Sequence, residues 1–298
     1  MKKLIVALWL CGLPNASFAG AWTLPKGQLW LKNAVFYQST TSRFCTGQDA
    51  QSPAFQEVGC TSSGHSAPFD PFIGGESTAW VIYTEATYGL TGWLDLGLQI
   101  PFYRLEFTNL ANPERPRSNS FGDIRFFAKY RVLREPLAAS LTVAAKSPTG
   151  KFNVDAEVVN VSEGQWDFDL FAEASKSFWP FPGYGSVGFG YRFRTDNENF
   201  EQTVADEMNI TAEIGIDLLP RLMFKGAVDW LHGQRPRIKV TNVPLLERRE
   251  LLTITPGVIY KLRDDWGVEA AVRVPVSGQD FPDGPQFMGA VSYQFSVR

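Results

Sequence analysis

Cys45 and Cys60 stand fifteen positions apart in a stretch rich in Ser, Thr, Gly and Gln, with His65 just beyond. In an oxidising compartment such a pair closes a loop as a disulfide, worth about 3 kcal/mol in the chain-entropy model when unstrained. A metal site drawing on His65 is the alternative. The chain has only two histidines, His65 and His232, and a lipid hydrolase would need one of them within reach of a serine nucleophile. Ser66 adjoins His65, His232 has no clearly positioned serine, and both histidines fall in stretches that read as external loops, so no enzyme is expected. Gly183, Gly185 and Gly188 fit the letters of a dinucleotide fingerprint, which requires a strand before it and a helix after it. Here the glycines open a strand behind the turn Trp179-Pro180-Phe181-Pro182. Residues 146–151 echo a phosphate loop, yet Phe152 stands where Ser or Thr is needed. No cofactor and no metal are expected.

The remaining chemistry is charge placed at every second position. Arg125, Lys129 and Arg131 alternate with Ile124, Phe126, Ala128, Tyr130 and Val132. Lys146 ends the next segment, and Asp167, Asp169 and Glu173 alternate with Trp166, Phe168, Leu170, Ala172 and Ala174. Further along come Arg192, then Glu213 and Asp217, then Lys225 and Asp229, then Glu269 and Arg273. A period of two is that of strands with one apolar and one polar face. In an outer-membrane barrel the apolar face meets lipid and the polar face lines the lumen. Neighbouring segments often carry opposite signs, so the charges serve as cross-strand pairs or as the wall of a hydrated, selective pore; the two roles are compatible.

The elements that must position these residues can be counted. Alternating segments begin with residues 29–38, where Leu29, Leu31, Val35 and Tyr37 share a face broken by Asn33, and with residues 77–90. They end with a segment that sets Val291, Tyr293, Phe295 and Val297 outward. The central hairpin, residues 121–150, puts Gly122 with Ile124 on the lipid face and turns tightly at residues 133–136. Twelve strands of about ten residues result, the length of a tilted membrane strand. Connections after even strands are about two to five residues and those after odd strands are much longer, as in barrels with short periplasmic turns and long external loops. Trp93, Phe178, Trp179, Tyr184, Tyr260 and Trp266 sit beside the short turns and Trp80, Phe102, Trp166 and Trp230 toward the loops, as aromatic girdles require.

The chain opens with Lys2 and Lys3, an apolar run and Ser17-Phe18-Ala19, the pattern of a removed secretory signal over residues 1–19. A lipoprotein reading through Cys11 is weaker, because Leu10 occupies a position that wants a small residue. Residues 20–298 form the barrel, residues 20–28 being too short for a plug domain, and residues 39–76 form a long external loop that carries the cysteines. Hydrophobic residues make up 44% and aromatics 14% of the sequence, with 26 glycines, and no stretch has the roughly 18–20 apolar residues of a spanning helix. Loss of Lys2 and Lys3 takes the formal charge from -3 to -5, which argues against a nucleic-acid partner.

Three blocks carry a family likeness: FGDIRFFAKYRV followed by KSPTG, GQWDFDLFAEASKSF, and TPGVIYKLRDDWGVEAAVRVPVSGQDFPDGPQFMGAVSYQF. They resemble the bacterial outer-membrane transporters of the phenol-degradation pathway type. The likeness spans nearly all of the mature chain and is strongest over residues 257–295, and its motifs describe turns and strands. It implies a barrel that passes small, often hydrophobic or aromatic, molecules across the outer membrane. The chain departs from the usual terminal aromatic by carrying Ser296-Val297-Arg298 after Phe295. The expectation is a monomeric passive channel in the bacterial outer membrane, with lipid and a small solute as partners. Phe44, Phe55, Phe69 and Phe72 of the first loop are expected to form a constriction. A lipid hydrolase and a plugged barrel with a structural or surface-binding role are the alternatives.

Overall fold

The computed structural model describes residues 20–111, 117–152, 159–198, 201–245 and 247–297. The expected signal segment, residues 1–19, and Cys11 within it lie outside the described residues. Twelve antiparallel strands close into a barrel. They are β1 (Gln28–Thr40), β2 (Glu76–Thr91), β3 (Leu94–Thr108), β4 in two pieces (Arg117–Phe121 and Ile124–Leu133), β5 (Ala138–Ser147) and β6 (Asp167–Ser177). β7 (Gly183–Arg194), β8 (Glu207–Leu219), β9 (Leu222–Gly233), β10 (Glu250–Lys261), β11 (Trp266–Gln279) and β12 (Gln286–Ser296) complete the order. Each strand pairs with its sequence neighbours, and β1 pairs with β12 from Gln28↔Ser296 to Gln38↔Gln286, which closes the ring.

Side-chain alternation explains the closure. On β2 the inward Ala79, Val81, Tyr83, Glu85 and Thr87 are buried, while the outward Trp80, Ile82 and Leu90 are exposed. Phe126, Val143, Phe168, Val187, Ile210, Val228 and Val291 continue this exposed apolar belt round the barrel. A belt of that extent on a closed barrel is a surface built for lipid. Asn33, the one polar interruption on β1, accepts a hydrogen bond from the Thr84 hydroxyl of β2 at 2.8 Å.

The interruption of β4 corrects the sequence reading, which placed Gly122 on the lipid face. Phe121 and Ile124 both point outward, while Gly122 and Asp123 are buried between them. Opposite them Pro101 has no N–H to give to the ladder, and the Gly122 N–H bonds to its carbonyl at 2.9 Å. A Cβ at Gly122 would run into the Tyr103 ring. A glycine bulge at this point reconciles the two pieces of strand.

The first loop is not structureless. Ser42–Phe44 and Ser66–Pro68 pair as a small ribbon, with a short helix at Pro53–Glu57 between them, and Cys45 and Cys60 form a disulfide. His232, expected in an external loop, lies instead within β9 beside Trp230, with ring centroids 5.3 Å apart.

Candidate permeation lumen

Three layers of side chains fill one side of the lumen. At the periplasmic end the chain before β1 folds into the barrel mouth, which the expectation of a segment too short to plug did not anticipate. The Ala21 N–H donates to Ser175 Oγ at 2.7 Å, and Lys129 Nζ donates to the Gly20 carbonyl at 2.6 Å. The Leu24 N–H is shared by both Asp95 carboxylate oxygens at 3.1 Å. The Trp22 indole meets the Tyr184 ring edge-on at 5.7 Å, and the Gly27 N–H bonds to the Gly89 carbonyl at 2.8 Å. Gly20 has φ +85 and no room for a Cβ beside Ser175 and Trp22, so glycine is required there.

The middle layer is a relay of buried polar groups. Gln99 donates to Glu85 at 2.9 Å, and Arg125 Nη1 donates to Gln99 at 2.9 Å. Asp169 joins Arg125 at 2.8 Å and Arg192 at 2.7 Å, and Arg192 reaches Glu207 at 3.3 Å.

The external layer centres on Glu163, which comes from the loop between β5 and β6 and not from a strand. Its carboxylate meets Lys146 of β5 at 3.3 Å, Arg249 at 3.4 Å and Arg194 of β7. Lys146 also pairs with Asp167 at 2.6 Å, and Arg194 with Glu207 at 2.9 Å. Burial alone would raise the Glu163 pKa, but Arg194, Lys146 and Arg249 outweigh it and hold the carboxyl well below the ordinary range. Next to this hub lies an apolar plug in which Val159, Val161 and Phe69 from the loops pack on the inward Phe36, Val81, Leu105 and Phe107. Phe69 meets Phe107 edge-on at 5.4 Å.

The opposite side is less filled. A second ionic group links β8, β9, β11 and β1: Lys225 with Glu213 at 3.0 Å and with Glu269 at 3.7 Å, Lys32 with Glu269 at 2.5 Å, and the Tyr184 hydroxyl donating to Glu213 at 2.6 Å. The Glu213 and Lys225 side chains keep 18% of their exposure each, against 2% or less for Arg194, Glu207 and Asp167 of the external layer, while Glu269 keeps 11% and Arg192 of the middle layer 25%. The inward Thr211, Asp229, Thr255, Ile259, Arg273 and Ser292 are also partly accessible, and Arg273 Nε donates to Thr253 at 3.3 Å.

The charges expected from sequence thus fall into two networks. Arg125, Lys146, Asp167, Asp169 and Arg192 meet in the first, Glu213 and Glu269 in the second, and Lys129 with Glu173 (3.5 Å) holds the N-terminal strap. Arg131 and Asp217 lie toward the periplasmic turns, with Asp217 exposed. Missed were Lys32, Glu85, Glu163, Arg194, Glu207 and Arg249. Lys32 and Glu85 share the parity of recognised inward positions and could have been read; Glu163 and Arg249 lie in loops with no periodicity to betray them.

Of the four phenylalanines expected at the constriction, the structure places one in the lumen and disperses the others. Phe69 enters the lumen plug, whereas Phe44 packs with Leu251 and Phe281 on the far rim. Phe55 covers the disulfide and lies under Arg43, with the guanidinium 5.5 Å from its centroid. Phe72 is 76% exposed. Each lies where its own stretch of loop docks, and no single segment brings them together.

No protein-family model matches the chain, and no curated protein matches it in sequence. Solved structures do match. An outer membrane channel from Pseudomonas putida F1 superposes with a TM-score of 0.70 at 16% identity, over 95% of this chain and 99% of that one. The fold is that of an outer-membrane barrel. The β domain of the Bordetella autotransporter BrkA (TM-score 0.51, 11% identity, 91% of this chain and 100% of that one) and the NanC porin (0.50, 6%, 87% and 98%) share the architecture.

Proposed function

We propose that the chain is an outer-membrane channel through which small molecules diffuse passively, with hydrophobic or aromatic solutes as the favoured class. The observation that carries this reading is the strip of inward, partly accessible residues on β8–β12, which runs beside a half lumen into which the N-terminal segment and loop residues pack. The strip mixes Thr211, Thr255, Ile259 and Ser292 with the paired Glu213, Lys225 and Glu269, so a solute would meet apolar and neutral polar surface with most charges already partnered. The sequence blocks that resemble transporters of the phenol-degradation type support the solute class, and the similarity to the P. putida channel supports transport. The chain is read as acting as a monomer, and no enzymatic step is assigned to it. His65 Nδ1 lies 2.8 Å from the Thr61 hydroxyl, and neither imidazole has a hydrogen bond to a serine hydroxyl among the described residues.

Purified protein in planar bilayers is expected to give small conductance steps, and loaded liposomes to admit a small aromatic alcohol faster than a sugar of similar mass. Absence of both conductance and uptake would overturn the channel. A second reading, a closed barrel with a structural or surface-binding role, draws on the Glu163 hub and the N-terminal strap, which occupy opposite ends of the same half lumen. That reading predicts a silent bilayer and no solute uptake.

A further inference from the structure

The lipid-facing wall is hollow at one place. On β6–β10 the outward Lys176, Gly185, Ile214, Gly226 and Pro256 lie in one cross-strand row. Two of these five have no side chain, and the row toward the membrane centre contributes Ala212 beside them. The result is a groove of about 640 Å³ open to the bilayer. Its periplasmic edge is raised by Phe178, whose ring stands over Gly185, and by Phe224, whose ring lies 3.5 Å from where a Gly226 Cβ would be.

The mouth of the groove differs in chemistry from its floor. Lys176 is exposed on the same edge, and the next turn carries Trp179, 85% exposed, with Phe181 half exposed. An indole so open to its surroundings, at the rim of a lipid-facing belt and beside a lysine, has the character of a membrane interface anchor. An apolar hollow whose polar end coincides with the headgroup level matches one occupant in both parts.

We propose that this groove binds a phospholipid of the inner leaflet, with an acyl chain over Gly185 and Gly226 and the phosphate against Lys176. Contact along the groove comes from apolar area withdrawn from other lipid, so occupancy depends on shape. The lysine adds charge attraction to an anionic headgroup.

The test uses full-length protein extracted in mild detergent, with dioleoyl phosphatidylglycerol added and retained lipid counted by native mass spectrometry. The wild type should hold one lipid per chain. Gly226→Leu, which fills the floor without a positive φ to accommodate, should reduce retention several-fold, since the acyl chain loses its van der Waals contacts along the floor. Ala212→Leu fills the same floor from the neighbouring strand and serves if the first variant does not fold. Lys176→Gln should weaken retention of phosphatidylglycerol more than that of a zwitterionic lipid. Equal retention by wild type and the filled variants, or a shift in subunit number in place of lipid loss, would overturn the proposal. Conductance is a separate readout, so failure here leaves the channel reading standing.

Discussion

The two sides of the lumen are built from the same alternating strands and differ in what the loops and the N-terminal segment do to them. Along β1–β7 the inward side chains meet residues 20–24, Phe69 and residues 159–165, and Glu85, Asp95, Gln99 and Asp167 have no more than 2% of their surface left. Along β8–β12 the first loop docks only at the external rim, through Phe44 on Leu251 and Phe281 among the described residues, and deeper in the lumen Glu213, Lys225 and Thr255 keep partial access. A barrel wall therefore does not decide whether a lumen conducts; the segments between strands do. Charged groups on the filled side act as fasteners for those segments, whereas on the open side they face the more accessible part of the lumen.

The largest way to break this contrast is to remove the N-terminal strap. Deleting residues 22–25 takes away the Leu24 bonds to Asp95 and the Trp22 contact with Tyr184. Single-channel conductance is expected to rise several-fold. An unchanged conductance would mean that the strap does not limit the path.

Glu163→Gln tests the external fastener. It leaves Lys146, Arg194 and Arg249 without their shared carboxylate, although each keeps another contact. Breaking buried pairs of this kind costs about 3–5 kcal/mol, to be read as a lower denaturant midpoint. Conductance should rise and shift toward anions, because the variant adds a net positive charge to the lumen.

On the open side the same chemistry should have a different effect. Glu213→Gln and Lys225→Gln should move ion preference in opposite directions while changing stability by about 1 kcal/mol or less, as for partly solvated pairs. If Glu213→Gln were as destabilising as Glu163→Gln, the two sides would not differ as described.

The smallest effect concerns the seat of the first loop on the rim of the open side. Lost solvation pushes the Asp280 carboxyl up to about 6, with Glu247 and Asp49 adding to the rise and Arg43 and Arg249 opposing it. Burial, followed by Asp49, raises Glu247 as well, against Arg43. An acid raised in the docked state favours docking while protonated, so this contribution is complete below about pH 4 and is lost as pH rises through about 6. Amide protection factors in residues 42–68, with the intrinsic pH dependence of exchange divided out, should be higher at pH 5 than at pH 7.5, and Asp280→Asn should flatten the difference.

The strands were legible because a period of two survives in each of them: Phe126 and Lys129 can be assigned to opposite faces without knowing any partner. The break at Gly122 was not legible, because the reason for it lies on another strand, at Pro101. The first network was half legible. Arg125, Asp169 and Arg192 follow from parity, but Glu163 arrives from a loop whose course depends on which cations await it. The first-loop phenylalanines were grouped by proximity in sequence, whereas each is held by a different neighbour, Phe44 by Leu251 and Phe69 by Phe107. Residues 20–28 read as too short for a plug domain, yet a few hydrogen bonds suffice to hold an extended strap in a narrow mouth.

The asymmetry of the lumen can be measured directly by thiol labelling, because the two cysteines of the described chain are joined in a disulfide. Single cysteines placed at Thr255 and Ser292 on one side, and at Val81 and Gln99 on the other, can be exposed to a small membrane-impermeant thiol reagent in intact cells. The account predicts rapid modification at Thr255 and Ser292 and protection at Val81 and Gln99, with Glu163→Gln restoring access near Val81. Equal labelling on both sides would contradict it.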